Sequence, residues 1–214
     1  MIAIIDYGMG NLGSVQKALA YLGYDSEITN DPARVMDADG VVLPGVGAIG
    51  AAMESLKSKG LDKVVHEYIA TGKPFLGICL GMQMLFDTSE ESFGGEPVKG
   101  LSVLPGKVVK FPSDMGLKIP QIGWNELNSR CEIIPDKEYV YFVHSYYCVP
   151  DKIQDVAATV NYGIEYCCSV RRDNVFACQF HPEKSGEAGL AILNRWARQT
   201  KKKKKKERMG TYAQ

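Results

Sequence analysis

The chain has 214 residues, of which 45% are hydrophobic and 23% are charged, values close to those of ordinary globular proteins. This composition excludes a disordered, collagen-like or coiled-coil chain, and no apolar run approaches the roughly 18 residues that a membrane-spanning helix needs. The net charge of zero hides an asymmetry, because residues 201–214 carry +6 and residues 1–200 carry −6. We therefore expect no membrane contact and no nucleic-acid partner for the body of the protein.

Neither the first residues nor the cysteines indicate an exported protein. Residues 1–6 place no basic segment ahead of their apolar residues, so we expect no signal peptide and a cytoplasmic location. The six cysteines form no C-x-x-C pair, and with three histidines no zinc-ligand spacing emerges. We therefore expect reduced thiols and no bound metal.

The first half of the chain alternates short apolar runs with helical patterns. The runs predict strands at residues 2–5, 41–43 and 75–78. Apolar residues at helical spacing predict one helix that ends at Gly23 and another that ends at Gly72. This alternation with short connections predicts a parallel sheet covered by helices on both faces.

The second half predicts an antiparallel extension of that sheet. Asn161-Tyr162-Gly163 is a hairpin-type turn, and a helical pattern closes the chain up to Arg198. The predicted fold class is therefore α/β: a flavodoxin-like, open, mostly parallel sheet with helices on both faces and antiparallel strands in the second half. We expect one domain over residues 1–199 and a basic, disordered tail over residues 200–214. The predicted strands of this half are 107–111, 139–143, 156–162, 165–170 and 175–179.

A glycine-rich motif near the start suggests a dinucleotide site. Residues 8–13 match G-x-G-x-x-G after a strand, and Glu27 lies about where a ribose-binding acid belongs. Against this interpretation, a carboxylate at the strand tip, Asp6, would repel a pyrophosphate on the following helix. We favour a tight turn whose glycines adopt unusual backbone angles, and we keep a nicotinamide-dependent oxidoreductase as an alternative.

A stronger motif surrounds one cysteine. Residues 77–81, Gly-Ile-Cys-Leu-Gly, have the form G-x-C-x-G where a strand turns sharply into a helix. This is the thiol counterpart of the G-x-S-x-G nucleophile elbow, whose glycines permit the turn and expose the nucleophile. A helix N-terminus next to sulfur favours the thiolate. Outside such an elbow, a cysteine is more often a small buried hydrophobe.

A nucleophilic thiol needs a base and a group that orients the base. Of the three histidines, His181 opens the motif His181-Pro182-Glu183. The proline fixes the backbone between imidazole and carboxylate, so the carboxylate can select the tautomer that leaves the other ring nitrogen facing Cys79.

Acyl chemistry also needs donors for a developing oxyanion. The N–H of Leu80, directly after the nucleophile, is one candidate. Residues 44–47, Pro-Gly-Val-Gly, follow the preceding strand and could supply a second donor, because glycines let N–H groups turn toward a substrate. All these segments follow strand C-termini, the edge where open α/β sheets bind ligands.

As a set, these motifs closely resemble the class I, or triad, glutamine amidotransferases, whose signature is a cysteine elbow followed far downstream by His-Pro-Glu. The resemblance covers residues 1 to about 199. Residues 44–47, 120–125, 142–146 and 181–185 are most similar to members that serve histidine biosynthesis and pass ammonia to a separate, barrel-shaped cyclase subunit. The resemblance implies glutamine as substrate, a heterodimer with the cyclase, and no metal or organic cofactor.

The resemblance also implies roles for individual residues. The catalytic triad is Cys79 as nucleophile, His181 as base and Glu183 as orienting acid. The oxyanion loop contains Gly45 and Val46 and complements the N–H of Leu80 in the elbow, and the glutamine-binding residues are Gln83, Ser145 and Tyr146. The residues toward the partner are Trp124, Asn125, Tyr141 and Lys184. Without the resemblance, Trp124 and Tyr141 would be interpreted as core aromatics.

Two further alternatives remain open at this point. A related thiol hydrolase acting on γ-glutamyl or peptide bonds would share the triad but lack the Trp124-Asn125 and Val143-His144-Ser145 segments. A non-catalytic regulatory subunit would be expected to lose a triad member, and none is missing from the sequence.

Overall fold

The computed structural model describes the backbone of residues 1–93 and 95–210 and the side chains of residues 1–91 and 95–200. The strands are β1 Ile2–Ile5, β2 Ser26–Thr29, β3 Gly40–Gly45, β4 Phe75–Cys79, β5 Phe86–Phe93, β6 Glu96–Lys99, β7 Leu104–Lys110, β8 Gln121–Ser129, β9 Tyr139–His144, β10 Tyr146–Pro150, β11 Val156–Tyr162, β12 Ile164–Arg172 and β13 Val175–Cys178. The α-helices are α1 Leu12–Tyr21, α2 Pro32–Asp37, α3 Ile49–Ser58, α4 Leu61–Ala70, α5 Leu80–Gln83 and α6 Gly186–Gly210.

Five parallel strands form one half of the sheet in the order β2-β1-β3-β4-β13. This is the doubly wound order in which ligands bind beyond the carboxyl ends of the strands. The predicted parallel sheet is confirmed, and β1 has the predicted bounds. The sequence analysis missed β2, because its four residues are all only partly buried and form no apolar run.

Helices cover both faces of the parallel strands, as predicted. The helices α1 and α6 place Leu19 and Trp196 in the core on one face. The helices α3 and α4 place Leu56 and Tyr68 in the core on the other face. Burial of these large apolar side chains on both faces stabilises the sheet as the central layer.

The other half of the sheet is mainly antiparallel. From β13 the strands continue as β12, β10 and β7, all in antiparallel pairs, followed by β5 and the edge strand β6. A branch leaves β12 through β11 and β8 to β9. The predicted hairpin at residues 161–163 joins β11 to β12, with Gly163 in the left-handed region at φ 72°.

The last helix, α6, extends past the predicted end at Arg198 as far as Gly210. The helix includes the lysine run, for which a disordered tail was predicted. Lysine is a good helix former, and the first glycine after the run stands at residue 210. Residues 211–214 lie outside the described residues. Among the helices described, none is long and apolar enough to span a membrane.

The glycine-rich segment after β1 forms the tight turn that the sequence favoured. Gly8 and Gly10 have φ values of 97° and 122°, which L-residues rarely adopt. The N–H of Gly8 donates to the Asp6 carboxylate at 2.9 Å. The protein's own carboxylate therefore occupies the donor that a pyrophosphate would need, and its charge would repel the phosphates.

Candidate active site

Cys79 ends β4 in a strained conformation. Its φ is 54° and its ψ is −111°, and the short helix α5 begins at the next residue. A residue other than glycine at a positive φ costs conformational free energy, and this conformation persists only where the surrounding structure holds it in place. The predicted nucleophile elbow is therefore present in the backbone.

The two flanking glycines allow the elbow to pack against neighbouring strands. A Cβ at Gly81 would lie 1.9 Å from the carbonyl oxygen of Leu43 in β3. A Cβ at Gly77 would lie 2.9 Å from the Gly81 carbonyl oxygen and 3.1 Å from the Cβ of Ala177 in β13. Both approaches are closer than side chains tolerate, so the elbow needs glycine at both positions.

His181 and Glu183 follow β13, the parallel neighbour of β4, and therefore reach the same edge of the sheet. The Nδ1 atom of His181 lies 2.8 Å from Oε1 of Glu183, and both side chains are buried. Within the described part of the chain, Nε2 of His181 has no hydrogen-bond partner, and both Cys79 and His181 line the same cavity.

Charge around His181 favours its protonated form. Burial lowers the pKa of this imidazole, but the interactions with Cys79 and Glu183 outweigh burial and raise it to about 9. The arrangement of thiol, imidazole and carboxylate matches the one required for a nucleophile, a base and an orienting acid.

A cavity of about 420 Å³ opens above the sulfur. Among the predicted residues, Cys79, His181, Val46, Leu80, Gln83, Ser145 and Tyr146 line it. Gly45 stands just behind this lining, because a Cβ there would lie 2.6 Å from the Tyr7 hydroxyl and 2.9 Å from the Leu80 Cβ. The lining also includes Gly47 from the predicted oxyanion loop, and Pro120, Val143 and His144 from segments that carried the resemblance without an individual role. Glu91 is the lining residue that was missed.

Glu91 contributes a carboxylate to the cavity lining. It lies in β5, and its Oε2 accepts a hydrogen bond from the Ile49 N–H at 3.1 Å. No motif marks residues 86–93, and two serines and three acids in this stretch give no apolar pattern. Its position at the site results from β5 joining the sheet beside β7.

Amide side chains form a buried hydrogen-bond chain beneath the cavity. The Nε2 atom of Gln83 donates to the Tyr146 carbonyl oxygen at 3.1 Å and to Oε1 of Gln179 at 2.9 Å. The Nε2 atom of Gln179 in turn donates to the Cys79 sulfur at 3.5 Å. Sequence reasoning missed Gln179, although it lies two residues before His181.

The second histidine at the cavity has a structural position. Nδ1 of His144 lies 2.8 Å from the Tyr146 carbonyl oxygen, and Nε2 lies 2.9 Å from the Tyr166 hydroxyl. Burial lowers the pKa of His144 to about 4, so the ring is neutral at physiological pH. Both ring nitrogens serve the fold, which leaves His181 as the candidate base.

The residues expected toward a partner lie outside the cavity. Trp124 on β8 is 53% exposed and packs edge-on against Tyr141 on β9 at a centroid distance of 6.1 Å. Ile122 and Tyr139 on the same two strands are 61% and 54% exposed. The interpretation of Trp124 as a core aromatic is therefore wrong. Of the other two residues, Asn125 is partly buried against Gln121, and Lys184 is exposed.

The described residues contain no cluster of three or more His, Cys, Asp or Glu side chains arranged for a metal ion.

Comparison with protein families gives a match over residues 3–200 to the model described as glutamine amidotransferase class-I. The protein named imidazole glycerol phosphate synthase subunit HisH from Syntrophotalea carbinolica is 50% identical, over 90% of this chain and 97% of its own. The protein of the same name from Moorella thermoacetica is 51% identical, over 90% and 91%. The chloroplastic imidazole glycerol phosphate synthase hisHF of Arabidopsis thaliana is 46% identical, over 92% of this chain and 34% of its own.

Solved structures share the fold at low sequence identity. One described as a glutamine amidotransferase superimposes with a TM-score of 0.74 at 16% identity, covering 94% of this chain and 99% of its own. The structure of PurLQS from Thermotoga maritima has a TM-score of 0.71 at 17% identity, covering 92% and 97%. At such identities the likeness concerns the architecture alone.

Proposed function

The chain belongs to the class-I glutamine amidotransferase family, and from that premise we propose that it is the glutaminase subunit of an imidazole glycerol phosphate synthase. In this function it hydrolyses glutamine and delivers ammonia to a cyclase subunit in histidine biosynthesis. The observation that carries the proposal is the convergence of Cys79, His181 and Glu183 at one sheet edge beneath a cavity.

The first half-reaction is acyl transfer to sulfur. The Cys79 thiolate attacks the side-chain amide carbon of glutamine, a carbon–sulfur bond forms, and the carbonyl electrons move onto oxygen. The His181 imidazolium, favoured by its raised pKa, gives its proton to the amide nitrogen. The carbon–nitrogen bond then breaks, ammonia leaves, and a γ-glutamyl thioester remains.

The second half-reaction regenerates the enzyme. His181, now neutral, accepts a proton from water as the water oxygen attacks the thioester carbon. The carbon–sulfur bond breaks, sulfur leaves as thiolate, and glutamate is released. Glu183 holds Nδ1 throughout, so the same Nε2 atom acts first as acid and then as base.

The oxyanion is stabilised by backbone donors in this proposal. The N–H of Leu80 follows the nucleophile directly, and the Gly45–Val46 loop stands beside it at the end of β3. One such donor is typically worth about 100- to 1000-fold in rate.

In this proposal the amino-acid end of glutamine binds where Ser145 and Tyr146 line the cavity. Glu91 adds a carboxylate that fits the α-ammonium of the substrate. Both hydrogens of the Gln83 amide nitrogen are already engaged, so Gln83 offers its Oε1 acceptor to the ligand.

The exposed apolar surface around Trp124 supports a partner-dependent enzyme over a free-standing thiol hydrolase. Ile122, Trp124 and Tyr139 leave an apolar patch on β8 and β9, and Pro120 and Val143 connect these strands to the cavity. Large exposed apolar patches are typical of protein interfaces. We assign this patch, with Asn125, Tyr141 and Lys184, to the barrel-shaped cyclase. The Arabidopsis relative, whose length is about three times the matched part, is consistent with a linked second unit.

The oxyanion loop is the place where the partner would control activity. The Tyr7 hydroxyl donates to the Pro44 carbonyl at 3.0 Å and holds the start of the loop, whereas Val46 is 40% exposed and Gly47 has a φ of 85°. The intervening peptide can therefore present either a carbonyl or an N–H to the substrate. The cyclase need only favour the N–H orientation by a few kcal/mol.

The test is steady-state glutamate formation by the chain alone and with saturating cyclase and its nucleotide ligand. We expect low activity alone and about a 100-fold or greater increase with the partner. Glutamate formation that is absent under both conditions would overturn the proposed function. Full activity without the partner would overturn the control by the loop but leave the triad standing.

A further inference from the structure

Gln179 is a buried amide that touches the candidate nucleophile and has no part in the mechanism derived above. Its side chain is fully buried at the end of β13, and its Nε2 atom lies 3.5 Å from the Cys79 sulfur. Its backbone N–H donates to the Cys168 carbonyl at 2.8 Å, which fixes the residue against β12.

The direction of this hydrogen bond follows from the groups behind it. The Tyr146 carbonyl oxygen can only accept, so the amide of Gln83 must turn its nitrogen toward that oxygen. The second hydrogen of the same nitrogen points to Gln179, which must therefore present its oxygen to Gln83. The remaining end of the Gln179 amide, its NH₂ group, then faces the sulfur of Cys79.

A donor at this position matters because sulfur becomes negative twice in the reaction. It is a thiolate before attack on the amide, and it becomes a thiolate again when the thioester breaks. In a buried site, a preorganised N–H stabilises such a charge without having to reorient during the reaction. A carbonyl oxygen at the same place would oppose the charge.

The thiol of Cys178, which directly precedes Gln179 in the chain, has the opposite kind of hydrogen-bond partner. Cys178 ends β13, and its sulfur donates to the Phe180 carbonyl oxygen at 3.5 Å. Burial raises the pKa of the Cys178 thiol well above its usual range, so it stays protonated. Two buried cysteines on adjacent strands thus meet opposite partners, an acceptor at Cys178 and a donor at Cys79.

We propose that Gln179 is a further catalytic residue, which donates its amide N–H to the Cys79 sulfur and stabilises the thiolate in both half-reactions. The inference rests on the proposed role of Cys79 as the nucleophile. Gln83 and the Tyr146 carbonyl act as positioning groups, because they determine which end of the Gln179 amide faces sulfur.

The test measures sulfur reactivity without glutamine. Two variants are compared with the parent, all in a Cys131→Ser background, because Cys131 is more exposed than the other cysteines. Gln179→Met keeps the approximate volume but has no donor, and Gln179→Glu keeps the shape and the acceptor toward Gln83 but places an anion at sulfur. The rate of Cys79 alkylation by iodoacetamide is followed by peptide mass spectrometry from about pH 5 to about pH 10, which brackets the usual range of thiol titration. Ser169→Ala, which removes a buried hydroxyl bonded to the Ala177 carbonyl at 2.7 Å, is the matched control.

We expect alkylation at neutral pH to be about tenfold slower in Gln179→Met and slower still in Gln179→Glu, with the profile displaced to higher pH. We expect the kcat for glutamine to fall in the same order, with KM changed less than about twofold. The Ser169→Ala control should react like the parent.

Alkylation rates within about twofold of the parent in the folded Gln179 variants would overturn the proposal. Thermal unfolding identifies any variant that fails to fold, and the Gln179→Glu protein then decides the question, because it preserves the bond to Gln83. If the parent alkylates normally but forms no glutamate with the cyclase, the proposed function fails, whereas the comparison of Gln179 variants still reports on the hydrogen bond to sulfur.

Discussion

Replacing Glu183 by glutamine tests how the proposed triad of Cys79, His181 and Glu183 controls its proton. In the structure, Oε1 of Glu183 accepts from Nδ1 of His181 at 2.8 Å, and the other carboxylate oxygen has no partner among the described residues. A glutamine amide of the same shape keeps an acceptor for Nδ1 but removes the negative charge. The variant therefore isolates the electrostatic contribution of Glu183 from its contribution to geometry.

The expected magnitude follows from the type of hydrogen bond. A hydrogen bond between charged groups is worth about 1.5–3 kcal/mol, and a neutral one about 0.5–1.5 kcal/mol. The loss of roughly 1.4 kcal/mol of imidazolium stabilisation corresponds to about a tenfold lower kcat. Removal of the imidazole by His181→Ala deletes the acid and the base together and should cost about 1000-fold.

The pH profile gives the second measurement. The Glu183 carboxylate is one of the groups that raise the pKa of His181, so its neutralisation lets burial lower that pKa. The proton required by the departing ammonia is present at low pH and lost as pH rises through the pKa of His181. The native enzyme should therefore lose activity as pH rises through about 9. In Glu183→Gln, this alkaline limb should move to lower pH.

The assay is glutamate formation with saturating cyclase and its ligand, from about pH 6 to pH 10, a range that spans the titration of a histidine with a raised pKa. Glu187→Gln, an exposed glutamate four residues on, is the control and should match the parent. An unmoved alkaline limb, or a loss in Glu183→Gln equal to that in His181→Ala, would refute the assignment of a separate electrostatic role to Glu183.

Three other outcomes can be stated from the structure. Cys79→Ser should abolish glutamate formation while the thermal unfolding temperature stays close to that of the parent, since oxygen is a much weaker nucleophile here. Gly81→Ala should lower the free energy of unfolding by about 3 kcal/mol, or Tm by roughly 10 °C, because its Cβ would lie 1.9 Å from the Leu43 carbonyl oxygen. Trp124→Ala should leave the isolated chain stable and weaken cyclase binding about 30-fold in a titration by calorimetry.

Each of these has its own control. Cys167→Ser should keep near-normal glutamate formation, and near-normal formation by Cys79→Ser would contradict the mechanism. Gly13→Ala has open space around the added Cβ and should not destabilise the protein, so an equal loss in both glycine variants would contradict the steric argument. Unchanged cyclase affinity in Trp124→Ala would remove the β8–β9 patch from the interface.

Local patterns carried most of the fold prediction. The strands at residues 2–5, 41–43 and 75–78 were recognisable because both faces of a covered parallel strand are apolar, which produces an uninterrupted run. Partly buried strands produce no such run and were therefore missed. Examples are β2 at the sheet edge and β8, whose side chains vary in exposure along the strand.

The elbow and the His-Pro-Glu segment could be found from the sequence because each motif is a few residues long. Proline at 182 constrains the chain locally, and glycine at 77 and 81 is recognisable as part of the motif although its physical reason is the close approach of neighbouring backbone and side chains. The short β–α connections bring the carboxyl ends of β1, β3 and β4 to one edge, and β13 adds its own there by pairing parallel with β4 from the second half of the chain.

The sequence by itself therefore determined the α/β architecture, the elbow at Cys79 and the candidate triad. Only the tertiary structure decided that Glu91 enters the cavity, that Trp124 is exposed, and that Gln83 and Gln179 align behind the sulfur. These features depend on strand register and on contacts between residues as far as 96 and 100 positions apart. Such contacts leave no local periodicity in the chain, because they arise only when separate elements pack together.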